Sequence, residues 1–426
     1  MAEETTGALQ RIKARMKVQL VDLIDGKSRG PGREVPREAL MENLAQVYKT
    51  SPESRGLGLS GVEQDRLIQD VINEVVGLGP LDPLLVDSTI SEIMVNGPHE
   101  VFVEREGRLQ RVDAAFRDTD HLMSVIDRML GTVGQVINET NPLCDASLRD
   151  GSRINVIIPP LVLNGPVVTI RRKGRDWSMN DYLMIGALSE QAAGFLGACV
   201  KAKVNLVISG GTSTGKTTLV SILSAFIPRE ERIITIENIA ELELPGREHW
   251  IRLVAKQGLV DGRGEIPLRT LVKNALRMRP DRIILGEARG GEALDMVQAM
   301  HSGHDGFITV LHGNTPRAAL ERLETLMLMS GLDLPPAACR TQIASAVDLV
   351  IHVGRYADGT RRVAAISQVL GTSQDGFQLE DIFTFDAQGF SATGQLQGTC
   401  RYTGVRPKAL PKFHLNNVEV PAWLTK

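Results

Sequence analysis

The chain has 426 residues with 42% apolar and 23% charged side chains, a folded balance too long for one hydrophobic core, so two or more domains are expected. Its 48 basic and 51 acidic residues leave a net charge of -3, and aromatics make up only 4%. These figures exclude whole-chain disorder, a collagen-like repeat and a disulfide scaffold, and they argue against a dedicated nucleic-acid binder, which uses a basic excess and stacking rings.

Cys144, Cys199, Cys339 and Cys400 are scattered without a Cys-x-x-Cys pair, so neither a zinc site nor a disulfide framework is indicated and a reducing cytoplasm fits. The start, Met1-Ala2-Glu3-Glu4-Thr5-Thr6, lacks the basic-then-apolar pattern of a secretory signal. Residues 154–170 form the longest uncharged run, but Pro159, Pro160, Asn164, Gly165 and Pro166 break it into two strands and a turn. Any membrane contact is therefore expected to be peripheral.

In chain order, residues 9–27, 35–50 and 60–77 carry helical apolar spacing, with a mobile loop expected near residues 26–34. Short strands are predicted at 90–95, 101–104 and 109–112, turning at Asn96-Gly97-Pro98 and Arg105-Glu106-Gly107. A helix near 118–132 and strands at 154–158 and 166–171 complete a small α+β domain, and residues 173–179 read as a linker. Beyond it, strands at 205–209, 232–236, 282–285, 307–311 and 349–353 alternate with helices at 216–226, 267–278, 290–301, 316–329 and 335–346. That alternation predicts a parallel sheet covered on both faces. After Arg361 the pattern turns β-rich and ends in a basic, proline-containing tail.

Residues 210–217, Gly210-Gly211-Thr212-Ser213-Thr214-Gly215-Lys216-Thr217, match G-x-x-x-x-G-K-[ST] between a predicted strand and a predicted helix, with Thr218 next in line. Glycines let successive N–H groups wrap phosphates, and the helix start adds its positive dipole end. Lys216 would reach the β- and γ-phosphates, and the Thr217 hydroxyl would hold Mg²⁺. Hydrolysis also needs carboxylates for water and metal. Glu237 and Glu287 each close an apolar strand, at the rim where such sheets bind ligands. His304 and His312 flank the 307–311 strand, too far apart for a local metal pair, and could contact a γ-phosphate.

The segments 210–217, 235–238, 276–290 and 303–314 resemble, in order, the Walker A, Asp box, atypical Walker B and His box of the type II/type IV secretion and pilus ATPases. Residues 77–85, 92–97, 150–160, 379–383 and 404–408 are similar to the CpaF-like branch, which drives tight-adherence (Flp) pilus assembly. The resemblance spans roughly residues 60–410. Two departures stand out. Asn238 replaces a second acid of the Asp box, and there is no tetracysteine insertion of the kind many classical type II motors carry.

The resemblance implies an α/β fold: a RecA-like P-loop domain at 176–360 with a β-rich appendage at 361–426. It is preceded by an α+β domain at 60–175 and a partly mobile helical segment at 1–59. It also implies ATP and Mg²⁺ as cofactors, Glu287 as the catalytic glutamate, and Glu237 as organiser of Mg²⁺ and water. His304 and His312 would couple the γ-phosphate to a ring. Arg153, with Arg171 or Arg172, matches arginines that close onto the phosphates, a role suited to a delocalised cation. The implied machine is a cytoplasmic homohexameric ATPase under an inner-membrane platform, extending and possibly retracting a pilus. A type IV secretion ATPase moving protein or DNA is the nearest alternative, and a nucleotide-gated scaffold that does not cycle is the alternative from another class.

Overall fold

The computed structural model describes residues 2–27, 36–105, 108–256, 258, 264–392, 394 and 396–424. Most of the mobile loop expected at 26–34, and the Glu106-Gly107 turn, lie outside them, although Gly26 and Lys27 belong to a helix. The chain divides into two compact units, Met1–Gly174 and Arg175–Lys426.

The first unit opens with three helices, α1 (Ala2–Lys27), α2 (Arg37–Thr50) and α3 (Gly61–Val75). Ile12, Met16 and Leu20 recur on one face of α1, Leu40, Leu44 and Tyr48 on one face of α2, and both stripes bury against Leu67, Ile68, Val71 and Ile72 of α3. Ser60 and Glu63 start α3 with reciprocal capping bonds. A short helix, α4 (Asp82–Val86), leads into β1 (Ile90–Asn96), β2 (Val101–Arg105) and β3 (Arg108–Val112). Then follow α5 (Thr119–Gly131), β4 (Leu143–Ser147), β5 (Arg153–Ile157) and β6 (Val167–Arg171). The strands form one antiparallel sheet ordered β3-β2-β1-β6-β5-β4. Ile93, Val95, Ile154, Val156, Val168 and Ile170 face the apolar side of α5. The other face carries Glu92, Arg153 and Arg171, because strand side chains alternate.

The second unit begins with α6 (Met179–Met184) and α7 (Glu190–Lys201), followed by β7 (Leu206–Gly210), α8 (Lys216–Ser224), β8 (Ile233–Glu237) and β9 (Trp250–Val254). The succession α9 (Leu268–Ala275), β10 (Arg282–Leu285), α10 (Glu292–His301), β11 (Ile308–His312), α11 (Pro316–Leu328), α12 (Pro336–Ala346) and β12 (Leu349–Arg355) matches the predicted alternation. The chain ends in three long antiparallel strands, β13 (Arg361–Ser373), β14 (Gly376–Phe390) and β15 (Leu396–Tyr402), and α13 (Leu410–Leu415). The nine strands are ordered β15-β14-β13-β12-β7-β11-β10-β8-β9, parallel from β12 to β9.

Alternate residues of β7 build two cores. Leu206 and Ile208 pack under α7 and α8, while Val207 faces α9 to α12. The fold is the α/β fold expected from the sequence, with helices on both faces of a largely parallel sheet. α4, β4, α6, α7, β9 and α13 lie where the sequence pattern predicts no such element.

Candidate active site

The glycine-rich loop at residues 210–217 leaves the central strand β7. A Cβ on Gly210 would lie 2.5 Å from the Val353 carbonyl and 2.7 Å from Thr214 Oγ1, so only glycine fits there. Ser213 (φ 58) and Gly215 (φ 93) turn the backbone through the left-handed region, and Gly215 caps α8. Thr214 Oγ1 and Lys216 Nζ both donate to the Gly211 carbonyl, at 3.0 and 2.5 Å. Thr212 is exposed beside them, and Thr217 and Thr218 are half-buried on the first turn of α8. Lys216 is only 8% exposed; burial lowers its pKa, opposed by Glu287 and then Glu241.

Parallel pairing brings the other groups to the same rim. His312 is the register partner of Gly210, and β8 ends at Glu237 next to β10. Glu287 follows Gly286 just past β10, its Oε1 2.9 Å from His312 Nε2 and its Oε2 accepting from an Arg289 Nη at 2.7 Å. Burial first, then the charge of Lys216, depresses the His312 pKa, so the ring is neutral at pH 7 and meets the carboxylate by donating its Nε2 proton.

Glu237 is 4% exposed, and its Oε1 accepts from the backbone N–H groups of Glu241 and Leu242, both at 2.9 Å. Its Oε2 is buried with no hydrogen-bond partner among the described residues. Desolvation raises this carboxyl to about 7, outweighing those two bonds and the pull of Arg252. A Cβ on Gly286 would come within 2.8 Å of Glu237 Cγ, so glycine there makes room for the acid.

Four more residues belong to this rim and were not singled out in the sequence. Glu241 Oε2 accepts from the Thr217 hydroxyl at 3.5 Å, which brings a second acid to the loop although Asn238 follows Glu237. His352 Nδ1 is 2.9 Å from Ser209 Oγ under the loop, and Arg361 Nε donates to the Ser213 carbonyl at 2.8 Å. The Tyr182 hydroxyl is 3.3 Å from where a Gly215 Cβ would stand. No motif marks them: Tyr182, His352 and Arg361 come from distant sequence, and Glu241 from the irregular segment that follows β8.

His304 is not brought to the loop within this unit, contrary to its pairing with His312 in sequence. It precedes β11, whereas His312 ends it, and five residues of strand span about 16 Å. Its backbone N–H instead bonds Ala299 O at 3.2 Å, closing α10.

The three candidate arginines belong to the first unit. Arg153 and Arg171 are direct cross-strand partners on one face, with Asp145 at 3.7 Å from the former and Glu92 at 3.6 Å from the latter. Arg172 points the other way, and its guanidinium donates to the carbonyls of Asp87 and Ile90. Of the alternatives Arg171 and Arg172, only Arg171 shares a face with Arg153.

Among the described residues no group of three or more His, Cys, Asp or Glu side chains could hold a metal, and no helix is long and apolar enough to cross a membrane.

Residues 74–393 match the protein family described as Type II/IV secretion system protein. The chain belongs to that family. Its four motif segments all fall inside the matched residues. A Mycobacterium tuberculosis (strain H37Rv) protein provisionally assigned to conjugal transfer is 33% identical over 301 residues, covering 69% of this chain and 85% of its own. The type IV secretion system protein VirB11 of Brucella suis biovar 1 is 34% identical over 313 residues, covering 67% of this chain and 87% of its own. The crystal structure of the Brucella suis VirB11 ATPase in complex with sulphate aligns with 32% identity and a TM-score of 0.38, over 68% of this chain and 92% of that one.

Proposed function

We propose that this secretion-family protein is an ATPase motor: a homohexameric ring that hydrolyses ATP to drive assembly of a tight-adherence pilus through an inner-membrane platform. The observation that carries the enzymatic part is Glu287, held by His312 and Arg289 at the rim where the Lys216 loop emerges. A surface carboxylate has no need of two orienting partners; one that must aim at a water does. The 34% identity to a type IV secretion protein supports the wider class, and the segments 77–85, 92–97 and 150–160 support the tight-adherence branch.

In this reading, backbone N–H groups of residues 211–217 hold the phosphates, Lys216 neutralises the terminal ones, and Thr218 extends the cradle on the first turn of α8. Glu237 Oε2, buried and unpartnered among the described residues, fits a cation: Mg²⁺ would be held by Thr217 and Glu237 and would neutralise charge on the phosphate oxygens. Glu287 orients the attacking water with its remaining lone pairs, while neutral His312 reports on the γ-phosphate through its bond to Glu287. Arg153 and Arg171 act as the arginines that stabilise charge developing on the phosphates.

The test is steady-state Mg·ATP hydrolysis with particle mass measured in the same buffer, for wild type and Glu287→Gln. The expected result is a ring-sized particle that turns over ATP, and a variant that assembles and binds ATP but turns over about 10²- to 10⁴-fold more slowly. Binding without turnover in both proteins would favour the non-cycling scaffold instead. The VirB11 likeness also favours a second reading, a type IV secretion ATPase moving protein or DNA, and turnover stimulated by DNA would select it.

A further inference from the structure

The β12–β13 hairpin reaches the phosphate loop from the far end of the chain. Its tip is closed by the Tyr356 N–H bond to Thr360 O at 2.9 Å. Asp358 braces it: Oδ1 accepts from the Thr360 N–H at 3.0 Å and Oδ2 from the Leu396 N–H at 2.7 Å. Arg362 is 8% exposed and donates to the carbonyls of Gly186 and Leu396, at 2.9 and 2.7 Å. The hairpin is thus fastened to the first residue of β15 and to the segment preceding α7. Strand alternation aims the preceding residue, Arg361, elsewhere, onto the Ser213 carbonyl at 2.8 Å. Its Cδ runs 3.5 Å from the position of a Gly215 Cβ, so the side chain lies along the loop.

Ser213 is the non-glycine residue that the loop holds left-handed (φ 58). That turn lets successive N–H groups converge into an anion-binding concavity. Left to itself a serine disfavours the conformation by about tenfold, or about 1.4 kcal/mol. Fixing its carbonyl from outside, with a group that takes no part in the concavity, offsets that preference.

We infer that Arg361 is a positioning residue that holds the phosphate loop in its binding shape, and that through it the C-terminal hairpins set the loop's affinity for nucleotide. The inference rests on the proposed nucleotide reading and deepens it.

The full-length chain, Arg361→Ala, Ser213→Gly and the double variant are compared by titration with a fluorescent ATP analogue, by KM and kcat for ATP, and by Tm. Arg361 is exposed, so Tm should stay at the wild-type value. Arg361→Ala should raise Kd and KM about tenfold with kcat within about twofold, the effect of losing ground-state organisation alone. In the double variant most of the lost affinity should return, because glycine takes the left-handed turn without an outside clamp. Unchanged Kd in Arg361→Ala, or no recovery in the double variant, overturns the inference. Failure of the wild-type chain to bind the analogue overturns instead the nucleotide reading beneath it.

Discussion

Glu237 carries the clearest pH signature of any side chain at the rim. Its folded pKa of about 7 lies above the ordinary carboxylate value, so below the unfolded pKa the proton stays bound in both states and the acid is tolerated. As pH rises from the unfolded value through the folded one, the folded state holds on to a proton the unfolded chain releases, and stability falls. Glu237→Gln removes that loss. Without nucleotide, its Tm relative to wild type should therefore climb between about pH 5 and about pH 8, and a flat difference would contradict the burial argument. The arginines separate in the same residue-by-residue manner. Arg171→Ala should cut turnover at nearly unchanged Tm. Arg172→Ala, which strands the Asp87 and Ile90 carbonyls, should lower Tm by the equivalent of about 1–3 kcal/mol. Glu237, Glu287 and the Lys216 loop were legible in sequence because an apolar strand ending in an acid, or in glycines and a lysine, is a local signal. Glu241 was hidden by an irregular segment after β8, and Arg361 by the 148 residues separating it from Ser213. His304 and His312 are near in sequence but apart within the unit, because a residue ahead of a strand and one at its end lie at opposite ends of that strand.

The elements are held to one another by close approaches as much as by apolar area. Gly286 is where β10 meets the Glu237 side chain of β8, with no room for a methyl group. Gly286→Ala should destabilise by about 1–3 kcal/mol and lower turnover more than nucleotide affinity, because it displaces the acid and not the phosphate loop. Denaturant unfolding alongside ATPase kinetics checks both halves. The alternation of strands and helices from β10 to β12 was readable because continuous apolar runs and amphipathic segments differ in period. α7 escaped because Ala192, Ala193, Phe195, Leu196, Cys199 and Val200 are all buried, which leaves little polar stripe to mark a helix. β9 escaped because Trp250–Val254 is a half-exposed edge strand containing Arg252. β4 carries Asp145 at its centre and has little apolar run to recognise.

The molecule as a whole folds as two units, each packed around its own apolar residues. A fragment of residues 175–426 should unfold cooperatively and bind ATP, yet hydrolyse it far more slowly than the full chain, since Arg153 and Arg171 are gone. Calorimetry and a turnover assay on the fragment decide it, and full activity would remove the arginines from the reaction. The order of the large sheet also bears on synthesis. β7 lies at its centre, yet its neighbours are made late: Asn205 meets Phe307 across 102 residues, and Ser209 meets His352 across 143. At about 5–20 residues per second, a ribosome needs on the order of ten seconds to deliver both flanking strands after the Lys216 loop emerges. Until then the nascent loop follows a strand without lateral partners and cannot take its final shape. On the proposed reading, nucleotide binding is therefore expected to be among the last capacities the growing chain acquires.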